Sequence, residues 1–159
     1  MRFSRKRHGG VEAKLDRIEA GVLTAVVGDL LELLGDDGAT EQDPLAAIVG
    51  MPTGPVERPS DPALARLLPD AYGDDDEAAA EFRRYTETAL RQRKLDNARA
   101  ALASLEDPGE ERPLDEATTM AWLGALNDLR LAVGTRLDVQ EDWTAQYAAL
   151  LVDQTWAYV

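Results

Sequence analysis

The sequence predicts a mostly α fold, a compact single domain over residues 1–159 in which a β-hairpin (1–15) lies on the flank of a bundle of about five helices (16–159). Three observations carry that expectation. Apolar residues recur at helical spacing, most clearly Ile18, Val22, Leu23, Val26, Leu30, Leu33 and Leu34. Aspartates stand where such runs begin, as helix caps do. The stretch Ala121–Leu137 is apolar almost all round, the pattern of a helix with neighbours on both sides, so it belongs in the middle of a bundle.

The elements follow in order. Phe3, Arg5 and Arg7 alternate with polar partners, Gly9-Gly10 suits a two-residue turn, and Val11, Ala13 and Leu15 alternate beyond it. A hairpin this short is marginal alone and must rest on another element. Asp16 caps the first helix, which Gly35 stops. Asp43-Pro44 and Asp61-Pro62 each set a carboxylate before a proline suited to the first helical position, starting short helices at Leu45–Val49 and Ala63–Leu68. Gly50–Ser60, with Pro52, Gly54, Pro55 and Pro59, reads as a loop. Asp74 with Glu77 offers a capping pattern for a helix reaching about Leu105. Its apolar face shifts along its length: Phe82, Tyr85 and Ala89 point one way and Leu95, Ala98, Leu102 and Leu105 the other, as for a helix serving two neighbours. Glu106–Pro113 reads as a charged connector, and Asp115 caps the central helix.

On that central helix, wheel positions group Trp122, Leu123, Leu126, Leu129, Val133 and Leu137 with Arg130 among them. Met120, Gly124, Asn127, Leu131 and Gly134 form a second stripe, and Asp128, Thr135 and Arg136 look outward. A last helix begins near Glu141. Trp143, Tyr147, Leu150 and Leu151 lie on one of its sides, with Ala145, Ala148, Ala149, Val152 and Trp156 on the other.

Composition narrows the function classes. Thirty acidic against 17 basic residues give a formal net charge of -13, which repels the phosphate backbone of nucleic acid and anionic lipid. There is no cysteine, which removes disulfide frameworks, thiolate metal sites and cysteine nucleophiles. The basic start at Arg2, Arg5, Lys6 and Arg7 lacks a following apolar signal core, and the greasiest run, Val22–Leu34, is interrupted by Asp29 and Glu32. Neither export nor a membrane span is expected, so the cytoplasm is the expected compartment.

At Asp61-Pro62-Ala63-Leu64-Ala65-Arg66-Leu67-Leu68-Pro69-Asp70-Ala71-Tyr72, then Glu81-Phe82-Arg83-Arg84, then Ala121-Trp122-Leu123-Gly124-Ala125-Leu126-Asn127-Asp128-Leu129-Arg130-Leu131, the chain resembles the actinobacterial proteins grouped as domain of unknown function 2017. The amino-terminal hairpin and first helix fit as well, and the run from Trp122 to Arg130 is the specific part. The resemblance implies no assigned activity and no catalytic residues. Genes of that family tend to sit beside one for the adaptor of the Clp protease, which implies a context near regulated proteolysis.

Catalytic readings find little. One histidine, His8, excludes two-histidine metal motifs and sits beside the Gly-Gly turn. Ser4, Ser60 and Ser104 lack a nucleophile-elbow context, and no phosphate loop appears. Asp74-Asp75-Asp76-Glu77 is dense in carboxylates, yet adjacent residues cannot all face one ion, and helix starts attract acids anyway. The sequence therefore predicts no enzyme, cofactor or metal. Arg2, Arg5, Lys6 and Arg7 read as a solvated strand face, with docking of an acidic partner as the alternative.

Arg130 and Asn127 are the sharper case, because a guanidinium among core leucines is costly unless matched by a charge. Glu19, centred on the apolar arc of the first helix, is the expected buried partner. Asp16-Arg17-Ile18-Glu19 also fits a capping box that would turn Glu19 back to the backbone. Trp122 and Tyr85 are expected in the core. Trp143, Tyr147, Val152 and Trp156 are the expected partner-binding residues, since the last helix carries more apolar surface than one buried face requires. The function expected is a non-catalytic interaction or accessory protein with a protein partner or as a homodimer. The alternative is a small-anion sensor built on Arg130 and Asn127.

Overall fold

A computed structural model describes residues 2–5, 10–35, 57–105 and 112–139. Within them lie strands β1 (Arg2–Arg5), β2 (Val11–Lys14) and β3 (Arg112–Leu114) and helices α1 (Arg17–Gly35), α2 (Pro62–Leu67), α3 (Asp76–Ala103) and α4 (Glu116–Arg136). The helix expected at Leu45–Val49 and the last helix, with Trp143, Tyr147, Val152 and Trp156, lie outside the described residues.

Each described helix begins on an aspartate whose carboxylate takes up amides that have no intrahelical acceptor. Asp16 accepts from the Ile18 and Glu19 amides while Glu19 accepts from the Asp16 amide at 3.0 Å, a reciprocal capping box. Asp61 accepts from the Ala63 and Leu64 amides, with Pro62 at the first helical position where its missing N–H costs nothing. Asp75, rather than Asp74, caps α3 through the Ala78 amide, and Asp115 caps α4 through that of Thr118.

The hairpin is a three-stranded antiparallel sheet in the order β1-β2-β3, with Phe3 opposite Ala13 and Val11 opposite Leu114. Gly10 takes a positive φ of 95°, but the register, with Arg5 opposite Val11, leaves residues 6–10 between the strands, so the connection is longer than the two-residue Gly9-Gly10 turn expected. Part of the expected connector is therefore strand. Three residues carry too little alternation to mark it, and Pro113 argues against a central strand but suits an edge.

α4 packs chiefly on α3, then on α2 and α1, so it is central as expected. The apolar core has two lobes along it. In one, Val27, Leu30 and Leu34 of α1 meet Leu64, Leu67 and Leu68 around α2 and Leu129 and Ala132 of α4. In the other, Ala13, Leu15 and Leu114 of the sheet region meet Ala20, Ala101, Leu105, Trp122 and Ala125. Trp122 joins the sheet to the helices: its ring meets Phe3 edge-on at 5.9 Å, and its Nε1 donates to Ser104 Oγ at 2.8 Å. Satisfying the indole N–H is the usual condition for burying tryptophan.

At its far end α4 closes in a Schellman motif. The Asp138 amide donates to the Thr135 carbonyl, the Val139 amide to that of Gly134, and Asp138 takes the left-handed φ of 49°. No helix of the described residues is long and apolar enough to cross a membrane.

Candidate functional site

The buried face of α4 is built from Ala121, Trp122, Ala125, Asp128, Leu129 and Ala132. Small residues dominate it because α3 lies close, so close that a Cβ on Gly124 would collide with the Asn97 side-chain amide. The bulkier Met120, Leu123, Val133 and Leu137 are turned outward instead. The wheel reading took the largest side chains as the core and thereby rotated the helix. On a helix packed through alanine and glycine, that assumption fails.

The consequence falls on Arg130. It is exposed, and its guanidinium donates to Asn127 Oδ1 at 3.1 Å, one turn back. Glu19 serves the capping box. The buried Glu19–Arg130 pair is thus corrected: a guanidinium in water needs no buried counter-charge. Glu19, Asn127 and Arg130 form neither a buried network nor an enclosed pocket. Tyr85 is likewise exposed, its ring under the Arg84 guanidinium at 4.9 Å, whereas Trp122 is in the core as expected.

Asp128, expected in water, is 3% exposed. Its Oδ1 lies 2.5 Å from the Lys94 ammonium of α3, so a buried ion pair joins α3 to α4. A second polar cluster lies beside α2. Arg83, buried on α3, pairs with Asp70 and lies 3.5 Å from Glu87; Arg58 reaches Asp70 at 3.5 Å. Arg91 pairs with Glu87 at 2.8 Å and donates to the Leu34 carbonyl, one of the carbonyls left over at the end of α1. A shallow groove lined by Leu68, Asp70, Phe82, Arg83 and Leu90 runs over this cluster. Its charges are spent on one another, so it reads as a latch between α1, α2 and α3.

The electrostatics are those of caps. The Leu64 amide holds the Asp61 carboxyl below its ordinary value; partial burial works against it, and the Arg136 guanidinium, 2.7 Å away, adds to the lowering. The Thr118 hydroxyl and amide do the same for Asp115. Ser104 Oγ donates to the Ala101 carbonyl while accepting from Trp122, which leaves it a structural hydroxyl. Among the described residues no group of three or more His, Cys, Asp or Glu is placed to hold a metal ion. His8 lies outside them.

What remains is a surface: the outer face of α4, where Met120, Leu123, Asn127, Arg130 and Leu137 follow one another at helical spacing. Such a face can dock another apolar surface and offer one guanidinium for orientation.

Comparison with known proteins adds three findings. The sequence profile of DUF2017, described as a domain of unknown function, matches residues 1–157. The oxidative stress regulator AosR of Mycobacterium bovis and that of Mycobacterium tuberculosis are each 38% identical to the chain over 135 residues, covering 76% of it and 62% of the relative. The chain thus spans 62% of the length of these curated relatives. No solved structure matches it.

Proposed function

The chain belongs to the DUF2017 family, and from that membership we propose that it is a non-catalytic regulator that works by binding a protein partner in the response to oxidative stress. The observation that carries this reading is the likeness to mycobacterial proteins named oxidative stress regulators. The described structure is compatible with it: buried charges are tied up in packing the helices, and apolar side chains are left on the outside of α4. Of the sequence, Trp143, Tyr147, Val152 and Trp156 are the proposed contact residues, because aromatic anchors commonly dominate interfaces. The 159 residues contain no cysteine, so an oxidant signal reaching them does not pass through a thiol of their own. A cytoplasmic setting is part of the proposal. The family's gene neighbourhood is the sole motive for a link to Clp proteolysis.

The experiment is affinity purification of the full chain from its own host with and without peroxide, followed by mass spectrometry, beside a deletion strain challenged with peroxide. We expect one stoichiometric partner whose recovery changes with the oxidant, and altered tolerance in the deletion strain. Recovery of a Clp component would assign the proteolytic setting. No partner and unchanged tolerance would overturn the reading.

The sensor alternative retains one supporting feature, the exposed Arg130–Asn127 pair. A melting temperature unchanged across a panel of small anions would dispose of it.

A further inference from the structure

One face of α1 stays open although it is apolar along its first half. Ile18 is 79% exposed and Val22 57%, and Ala25, Asp29 and Glu32 follow them at helical spacing, all exposed. The charges of this face are sorted by end. Arg17 stands at the start of the helix and Asp29 and Glu32 toward its finish, each exposed and, among the described residues, in no ion pair. That order runs against the dipole of the helix, which favours acids at the start and cations at the end. Gly21 and Gly28 lie beside the same line, and a Cβ built on either would meet nothing within 4 Å. Glycine weakens a helix interior relative to alanine, and no described neighbour comes close enough to require it at either position.

We propose that this face pairs with the same face of a second copy, with α1 lying antiparallel to α1 about a two-fold axis. Charge complementarity selects a second copy over a foreign partner, because the face turned end for end is its own counterpart. An axis level with residue 23 sets Arg17 beside Asp29 of the copy, with Glu32 of the copy one turn further on, and the symmetry repeats both contacts at the other end. The same register brings Ile18 over Gly28 of the copy and Gly21 against its Ala25, where small residues let the helices approach to the short end of the usual distance of about 8–10 Å. A parallel copy would instead set Arg17 against Arg17 and acids against acids. Two helices of 19 residues cover an area at the small end of specific interfaces, and each copy carries a net charge of -13, so the association expected is micromolar and no tighter. The inference does not rest on the regulatory reading, since it concerns only the chain and its copy.

Sedimentation velocity of the full chain at physiological salt, from about 1 μM to about 1 mM, is expected to show reversible dimerisation. A monomer throughout would overturn the proposal. Two charge reversals locate the interface. Arg17→Glu in one variant, and Asp29→Arg with Glu32→Arg in another, each set like charges together in their own homodimers and are expected to weaken self-association about tenfold or more. Both variants agree better with the dipole of α1 than the parent does, so the melting temperature of the dilute monomer is expected not to fall, which separates lost docking from lost folding. Mixed in equal amounts, the two variants restore opposite charges at both ends of the contact. A heterodimer is then expected at concentrations where neither variant dimerises alone. Dimers that persist unchanged in both variants would place the contact elsewhere and overturn the proposal, as would variants that fail to combine on mixing.

Discussion

Arg130 and Asp128 stand two positions apart on α4 and have opposite surroundings. The carboxylate of Asp128 is enclosed with the Lys94 ammonium, so Asp128→Ala leaves a cation buried without its partner and is expected to cost about 3–5 kcal/mol. Arg130→Ala removes an exposed hydrogen bond and is expected to stay within about 0.5 kcal/mol of the parent. Urea unfolding of the two variants checks both, and equal losses would refute the assignment of the buried pair. Asp61 links local geometry to pH. Its folded value is lowered, so its contribution is complete above the ordinary carboxylate value of 3.8 and fades as pH falls through the lowered one. Asp61→Ala is expected to cost about 1 kcal/mol at neutral pH, whereas Asp61→Asn keeps a cap and loses only a half-exposed ion pair. The gap between the parent and Asp61→Asn should begin to close as pH falls past 3.8 and vanish below the lowered value, while that to Asp61→Ala should narrow to what a neutral cap contributes, as acid titration of stability will show. At this scale the sequence disclosed Asp16, Asp61 and Asp115 as caps, because capping is a local rule. It hid the Lys94–Asp128 pair, because which charge is enclosed depends on how a neighbouring helix is rotated.

The described helices were legible from periodicity and caps, and the hairpin from Gly10 between alternating runs. β3 was not, because its pairing with β2 is set by tertiary position and not by its own three residues. The rotation of α4 was not legible either, since most of its buried face, Ala121, Ala125, Asp128 and Ala132, belongs to neither apolar stripe and is set by the close approach of α3. Glycine therefore has two meanings in these helices. Gly124→Val would force the Asn97 side chain aside and is expected to cost about 1–3 kcal/mol. Gly21, inside α1, has open space where a Cβ would stand. Gly21→Ala is expected to stabilise by up to about 1 kcal/mol through helix propensity, raising the melting temperature by roughly 2–4 °C. Thermal unfolding followed by circular dichroism separates the two signs.

Over the whole molecule, a net charge of -13 sets a background of self-repulsion that no single ion pair cancels. Raising sodium chloride from about 10 to 300 mM shortens the reach of that repulsion and is expected to raise the melting temperature, although it weakens exposed pairs such as Arg136–Asp61. A falling melting temperature would show that pairs outweigh the background. The sheet imposes a constraint of a different sort. β2 pairs with β1 a few residues away but with β3 roughly 100 residues along the chain, a separation that makes closure slow. During synthesis the hairpin leaves the ribosome before its third strand and waits for it until α1, α2 and α3 have been made. The β1–β2 pair is thus made before the strand that completes its sheet, and a change that held the pair away from β3 would delay folding more than it would weaken the finished protein.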